Sequence, residues 1–588
     1  MKDFVKMTLA VVCGIILVGI ICLILGLGLL GSAVAASSSK PVLPKSGVLR
    51  IDLSKVTFGE QTLEDSPFGD FDPTSLLSGG GSSSVKVIGL WDAVQAIDAA
   101  AEDPAVKYIY LRTDGNGSSV TALEEIRVAL SRFRASGKPV ISYMEQPGTG
   151  SYYLASVSDK IYMTPALGVE SQIIGVGAQM MFLGDLLNRF GVNVQLIRHG
   201  KYKSAGEMYT RSSSSPENRE QYQRMVDSMW ESVGAQIAEA RGISLQELDA
   251  DIEELRLDLP QDFVDNKLVD ELLDRQGLQD KLAALAVVDK YKNIKWISFA
   301  DYVEAKVLPT KAKQKIAVIY AEGNIVDGNG RSGVAGDRFA SIVAKVAADS
   351  TVKAVVLRVN SPGGSVLASE KIKAELDRLQ EVKPLVASYG DYAASGGYWI
   401  SNRCDKIFSN ATTLTGSIGV FGIVPDLSKT AKEIAHVGVE SITSHKHGDM
   451  YGMFRPLDKD ELSYMQGSIE AVYDRFTTIV SEGRDIPKDD VDAIGQGRVW
   501  TGSDALGIRL VDEIGTLEDA IRYAAVSAGE PDLTKWNVKG YPTPPGAMEQ
   551  VMDMLGQGPD KDNALVSALR RLSGPQILAR MDTDIIVR

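Results

Sequence analysis

Short apolar runs, each followed by a polar loop and then by apolar residues at three- and four-residue steps, recur twice along this chain. In the first half, residues 106–111 read as a strand, 113–119 as a loop, and Leu123, Ile126, Leu130 and Phe133 mark one face of a helix. In the second half, 354–359 is the strand, 360–365 the loop, and Ala368, Ile372, Leu376 and Leu379 the helix face. A second strand follows in each, 139–143 and 385–389, and then Asp159-Lys160-Ile161 against Asp405-Lys406-Ile407. The offset stays at 246 residues (143 to 389, 159 to 405) and drifts to 242 where Leu268-Val269-Asp270 meets Leu510-Val511-Asp512. Strands alternating with helices at this spacing predict an α/β fold with parallel pairing, and the recurrence predicts an internal duplication. The two copies are placed at 48–305 and 310–535.

Ahead of the copies, the charged residues Lys2 and Lys6 in segment 1–7 precede a stretch without charge, and 8–31 is long and apolar enough to be read as one transmembrane helix. A cleaved signal peptide is the competing reading, since Ala33-Val34-Ala35 offers small residues, but such apolar regions are shorter, about 7 to 15 residues. The two lysines predict a cytoplasmic N-terminus and export of the remainder. Residues 32–47 then read as a linker and 79–84 as a flexible loop. At the other end, 536–588 is read as a tail, entered through Pro542, Pro544 and Pro545 and containing Leu565, Leu569 and Leu572. Residues 457–485, with Leu462, Met465, Ile469, Val472 and Phe476 in helical register, predict a long helix that packs in the core or between subunits.

Composition narrows the function classes. With 44% hydrophobic and 23% charged residues over 588 positions the chain is globular. A net charge of -14 and a pI near 5.0 argue against nucleic acid as a partner. Cys404 is the sole cysteine after the apolar stretch, so no intramolecular disulfide is expected there, and packing is its expected role. Residues 323–336 are rich in glycine but lack the Gly-Lys-Ser/Thr ending of a phosphate-binding loop, and read as a mobile flap. No cofactor is expected. His436, His445 and His447 crowd together without a convincing third ligand, so no metal is expected either.

The strongest chemical signal is Asp391-Tyr392-Ala393-Ala394-Ser395-Gly396-Gly397-Tyr398-Trp399, which sets a serine among small residues just after an apolar run. A serine hydroxyl needs a base to attack a carbonyl. Histidines are few, and the remaining one, His199, stands beside Lys201 and Lys203, which makes a lysine the candidate base. A lone serine in such surroundings is otherwise read as a helix N-cap, and a lysine in Lys201-Tyr202-Lys203-Ser204 as a solvated loop residue.

The two copies differ where this chemistry would lie. Thr149 stands where the second copy has Ser395, and 113–117 has no counterpart to the Gly363-Gly364 pair. Conversely, the second copy around 444–449 puts a glycine or a neighbouring polar residue where Lys203 would fall. A serine from one copy and a lysine from the other would make one composite site.

The segments GDYAASGGYWIS, TLTGSIGVFG, NSPGGSV, GKYKSA and GRVWTGSDALGIRLVDEIG, in their order along roughly 48–529, resemble the long, duplicated form of the signal peptide peptidase A family, also called protease IV. The resemblance implies two tandem ClpP/crotonase-like domains behind a membrane anchor, in a bacterial inner membrane with the catalytic domains on its outer side. It implies a serine peptidase with a Ser/Lys dyad that degrades cleaved signal peptides, assembled as a bowl of four protomers. The nucleophile falls on Ser395 and the general base on Lys203 rather than Lys201, a choice that spacing alone leaves open. Burial disfavours a charged amine, so Lys203 in a dry cleft could act as a base near neutral pH. Gly364 and Gly396 are the candidate oxyanion-binding amides, Gly363 permits the turn, and Ser417 is a candidate to orient the lysine. Two other classes are a crotonase-like acyl-CoA enzyme, disfavoured by an exported location, and a catalytically silent membrane scaffold.

Overall fold

The structure, a computed structural model, describes residues 41–62, 85–168, 173–543 and 576–581. The apolar stretch 8–31, the 79–84 loop and the leucines of the tail lie outside the described residues. Among the described residues no helix is long and apolar enough to cross a membrane.

Each copy builds its sheet on six parallel strands in matching order, and the second sheet adds Leu414–Gly416, parallel to the end of Leu385–Ala394, and Val499–Thr501, antiparallel to Leu414–Gly416. In the first the order is Glu271–Leu272, Lys160–Met163, Val140–Met144, Val106–Arg112, Gly47–Asp52, Trp296–Ser298, all parallel. In the second, Glu513–Ile514, Lys406–Ser409, Leu385–Ala394, Val352–Ser361, Lys315–Glu322 and Asn537–Tyr541 follow the same order, also parallel. The first copy ends with the helix Phe299–Lys306. The second reaches past 535: Asn537–Tyr541, assigned to the tail from its proline-rich surroundings, is the edge strand equivalent to Trp296–Ser298.

The repeated sequence motifs have repeated jobs. Asp159 accepts the amide of Val140 and Asp405 that of Leu385, each at 2.8 Å. Asp270 accepts the amide of Ile161 and Asp512 that of Ile407, again at 2.8 Å. Ser119 and Ser365 cap the helices Val120–Ala135 and Val366–Gln380 by accepting amides of the first turn. On those helices Leu123, Ile126, Leu130 and Phe133, and Ala368, Ile372, Leu376 and Leu379, are buried as the spacing predicts. Cys404 is also buried.

A third sheet joins the copies. Its order is Val334–Ala335, Ile325–Val326, Gly363–Ser365, Gln576–Arg580, Val420–Asp426, Asn193–His199. The last strand comes from the first copy and pairs antiparallel with Val420–Asp426 along its whole length, from His199 opposite Val420 to Asn193 opposite Asp426. The glycine-rich segment 323–336, expected as a flap, contributes the two short strands Ile325–Val326 and Val334–Ala335 to this sheet. Hydrogen bonding to Gly363–Ser365 gives those backbone groups partners that a free loop would leave to water. The helix Lys459–Arg484 lies against it, burying Met465, Ile469 and Tyr473 with Ile197, Val420 and Val424.

Buried charges also tie the copies together. Arg358, 1% exposed, lies 2.7 Å from Glu60 and 2.8 Å from Glu125, both from the first copy. Next to it, Glu124 accepts the amides of Ala411 and Thr412 at 2.9 and 3.2 Å. Burial pushes the Glu124 carboxyl up to about 7 despite these amide bonds. Because its folded value exceeds the ordinary one, its protonation stabilises the docked copies below pH ~4.5, and this contribution is lost as pH rises through about 7. Glu124→Gln, which cannot titrate, should therefore show a larger stability deficit against wild type at pH 5 than at pH 8 in denaturant titrations. A deficit independent of pH would contradict the assignment.

Candidate active site

The strand Leu385–Ala394 is longer than the apolar run suggests. After Tyr389 it continues through Gly390 to Ala394, pairing Tyr392, Ala393 and Ala394 with Leu414, Thr415 and Gly416. Ser395 is the next residue, at the sharp turn into the helix Gly396–Ser401, with φ 55° and ψ −111°. A positive φ is unfavourable for a residue with a side chain, and such strain persists only where the surroundings impose it. Here the Ser395 amide donates to Gly416 O at 2.9 Å, and Trp399 N donates to Ser395 O at 2.8 Å. The side chain makes no capping bond to the helix it precedes, so the helix-cap reading does not hold. A serine presented at a strained strand-to-helix turn is a recurrent arrangement for nucleophiles.

The Ser395 hydroxyl meets a lysine instead. Lys203 Nζ lies 2.9 Å from Ser395 Oγ, 2.9 Å from Ser417 Oγ and 3.1 Å from Ser417 O. Lys203 is 2% exposed and Ser395 is fully buried. The neighbouring Lys201 is exposed, its amine 5.1 Å from the Tyr202 ring. The structure thus brings Ser395, Lys203 and Ser417 together and leaves Lys201 outside.

Lys203 reaches this point because its strand does. After Asn193–His199 has paired with the second copy, Arg198 Nη1 holds the carbonyl of Lys203 at 2.8 Å, and Gln221 Nε2 holds that of Tyr202 at 3.1 Å. Two glycines of the second copy make room. A Cβ on Gly497 would come within 2.5 Å of Lys203 Cβ and 2.6 Å of its amide nitrogen, and one on Gly419 within 3.2 Å of Lys203 Cδ. Arg198, Gln221, Gly419 and Gly497 escaped the sequence reading; the two glycines lie within the segments quoted for the resemblance, but nothing in their spacing points to Lys203.

The glycine loop lies beside the serine. Gly363 has φ 97°, and a Cβ there would fall 2.5 Å from the amide nitrogen of Gly396. A Cβ on Gly396 would lie 3.0 Å from the amide nitrogen of Gly364. The Gly364 and Gly396 amides are therefore adjacent, and only glycine at 363 lets the backbone pass between them.

Other candidate residues lie elsewhere. Thr149 is buried at the start of the helix Thr149–Ala155, with its hydroxyl accepting the amide of Ile174. His199 stacks on Tyr473 at 3.7 Å between ring centres and lies 2.6 Å from Glu470. His436 takes φ 53° in the segment after Ile434, and His445 pairs with Ser444. His447, Asp458 and Glu461 bring ligand atoms within 4.8 Å of one another, two carboxylate partners for His447 that the histidine spacing did not reveal, while His436 and His445 are not part of the group. The Arg455 guanidinium, 2.7 Å from both Glu461 oxygens, already supplies positive charge there, and Asp458 caps the helix through the Glu461 amide.

Known proteins resemble this chain over both copies. The model of peptidase family S49 matches residues 132–289 and 377–529. The chain is 37% identical to Protease 4 of Haemophilus influenzae across 74% of this chain and 72% of that protein. It is 36% identical to Protease 4 of Salmonella typhi, covering 82% and 78% respectively. It is 30% identical to the chloroplastic serine protease SPPA of Arabidopsis thaliana, covering 82% and 72%.

The fit of Lys203 against glycine is directly testable. Gly497→Ala should cost about 1–3 kcal/mol of stability by overpacking and carry Lys203 Nζ beyond hydrogen-bond reach of Ser395 in a crystal structure of the variant. An unchanged separation would show that the glycine is not what seats the lysine.

Proposed function

The chain belongs to peptidase family S49 and is a serine peptidase; within that class we propose that Ser395 is the nucleophile and Lys203 its general base, acting on apolar peptides. The observation that carries this reading is the buried 2.9 Å approach of Lys203 Nζ to Ser395 Oγ. Ser417 supports it, since its hydroxyl and carbonyl hold the amine in line with the serine.

Neutral Lys203 takes the proton from Ser395 as its oxygen attacks the peptide carbonyl carbon. The negative charge that forms on the carbonyl oxygen is met by the amides of Gly364 and Gly396, fixed in place before reaction. Lys203 then returns the proton to the leaving amine, and water repeats the cycle on the acyl-enzyme. Lys203 is 2% exposed, and burial disfavours the charged form of an amine, which favours the neutral form needed in a base. The silent scaffold reading has no use for such an arrangement.

An adjoining cavity of about 680 Å³ supports an apolar substrate through Met180, Met181, Phe182, Met208 and Tyr222, and its walls also carry Glu322, Asp391 and Arg580, which suit the polar main chain or end of a peptide. We extend the reading to signal peptides left in the membrane, with 8–31 as the anchor, the catalytic copies on its outer side, and four chains in the assembly. What supports this is the apolar stretch behind Lys2 and Lys6 together with the motif resemblance.

Ser395→Ala and Lys203→Ala should each lower kcat on an apolar peptide by roughly 10⁴-fold or more, while Lys201→Ala retains most activity. The wild-type rate should rise with pH along a limb well below the ordinary lysine value of about 10.4. Equal losses in both lysine variants, or a rate indifferent to pH, would refute Lys203 as the base.

A further inference from the structure

Each copy carries a helix of 26 residues, Pro216–Arg241 in the first and Lys459–Arg484 in the second. A shorter helix follows in each, Leu245–Glu253 and Lys488–Ile494. Both pairs start at an offset of 243 residues (216 to 459, 245 to 488). At that offset Trp230 corresponds to Tyr473 and Asp249 to Asp492. The two pairs make the same clasp: Trp230 Nε1 donates to Asp249 at 2.7 Å, and the Tyr473 hydroxyl to Asp492 at 2.6 Å. That clasp joins helix to helix and belongs to the shared fold.

The second copy adds a bond that the first cannot make. An indole N–H only donates, whereas a phenol oxygen also accepts. The Tyr473 oxygen accepts the backbone amide of Gln496 at 3.2 Å. Gln496 sits at φ 56°, unfavourable for a residue with a side chain, and its Nε2 donates to the two oxygens of Asp492 at 2.9 and 3.0 Å. Burial and the adjacent Asp492 carboxylate push the Tyr473 phenol above its usual range, so the hydroxyl keeps the proton it gives to Asp492.

What this bond holds is residues 496–498, and they reach both sides of the lysine amine's seat. The Gln496 carbonyl accepts the amide of Tyr202, the residue before Lys203, at 2.9 Å. Gly497, at φ 80°, lies against the Lys203 main chain and donates its amide to Ile418 O at 2.7 Å. The Arg498 carbonyl accepts the Ser417 amide at 2.8 Å, and the Arg498 guanidinium lies 4.8 Å from the centre of the Tyr202 ring. Ser417 itself takes φ 48°, a conformation that its surroundings must impose. Three consecutive residues thus fasten Lys203 on one side and Ser417 on the other.

We propose that Tyr473 is a positioning residue for the lysine: its hydroxyl, oriented by Asp492, sets residues 496–498, which hold Lys203 and Ser417 against Ser395. This rests on the peptidase reading of Ser395 and Lys203. Tyr473 acts through that segment and not on the substrate. The change from an indole to a phenol at this one helix position is what couples a clasp common to both copies to the site that only their union forms.

Three variants of the full-length chain test this. Tyr473→Phe keeps the ring and its stack on His199 and removes only the hydroxyl. Asp492→Ala removes the acceptor that orients the hydroxyl, while Asp492→Asn keeps one oxygen for it. Tyr473→Phe and Asp492→Ala should each lower kcat on an apolar peptide by about 10- to 100-fold, the upper figure being what a misplacement of about 1 Å can cost, with KM unchanged. Asp492→Asn should restore most of the rate. In hydrogen-exchange mass spectrometry, residues 200–204 should exchange faster in the two impaired variants than in wild type or Asp492→Asn. A lowered denaturation midpoint with kcat intact would make the hydroxyl a contact of the fold alone and overturn the proposal. Equal losses of kcat in Asp492→Asn and Asp492→Ala would overturn it too. Faster exchange at 200–204 with no hydrolysis by any chain carrying Ser395, wild type included, would leave the hold on this segment standing and remove the peptidase mechanism instead.

Discussion

The proposed chemistry depends on one hydrogen bond between side chains 192 residues apart, from Lys203 Nζ to Ser395 Oγ. Neither copy supplies both groups. The bond therefore requires the copies to dock in a single register, and the structure commits its least forgiving interactions to that docking. Arg358 is buried between Glu60 and Glu125 of the other copy, and Glu124 receives two backbone amides across the same boundary. Withdrawing one partner from a buried ion pair costs about 3–5 kcal/mol because a charge is left uncompensated. A slipped docking would strand these groups as well as separate the lysine from the serine.

The duplication explains how such a site can exist. Both copies keep the same six-strand order and the same aspartate-to-amide clasps, so each retains what the sheet needs. The copies diverge in what surrounds this shared core. The second copy holds the glycine pair and the strained Ser395 turn, while the first has Thr149 there and sends Asn193–His199 across to deliver the lysine. The strain at Ser395 is held by the Gly416 carbonyl on one side and the first turn of the following helix on the other.

The periodicity of the copies made most of the sheet strands and both site helices legible, because one apolar face per element leaves a regular trace in the chain. Ser395 emerged from its small-residue surroundings and the composite site from what each copy lacks, while the choice of Lys203 over Lys201 came from the family resemblance. Other parts leave no such trace. The strand Asn537–Tyr541 sits beside prolines that suggest a linker, and its pairing is decided by the sheet edge it meets rather than by its own composition. Gln576–Arg580 is likewise defined by the two edges around it. The roles of Gly419 and Gly497 depend on where Lys203 arrives, and Arg358 reads as an ordinary charge in an apolar strand until its carboxylates are in place. Contacts between distant segments are invisible to patterns within either one.

The account stands on the Lys203 amine as the group whose protonation controls attack by Ser395. Replacing Lys203 by cysteine, in a chain whose native cysteines have been removed, and alkylating it with 2-bromoethylamine restores an amine of the same length but lower basicity. Activity should return on alkylation, with the rising limb of the pH–rate profile displaced toward acid relative to the lysine enzyme. Restored activity with an undisplaced limb would contradict the claim that this amine is the base.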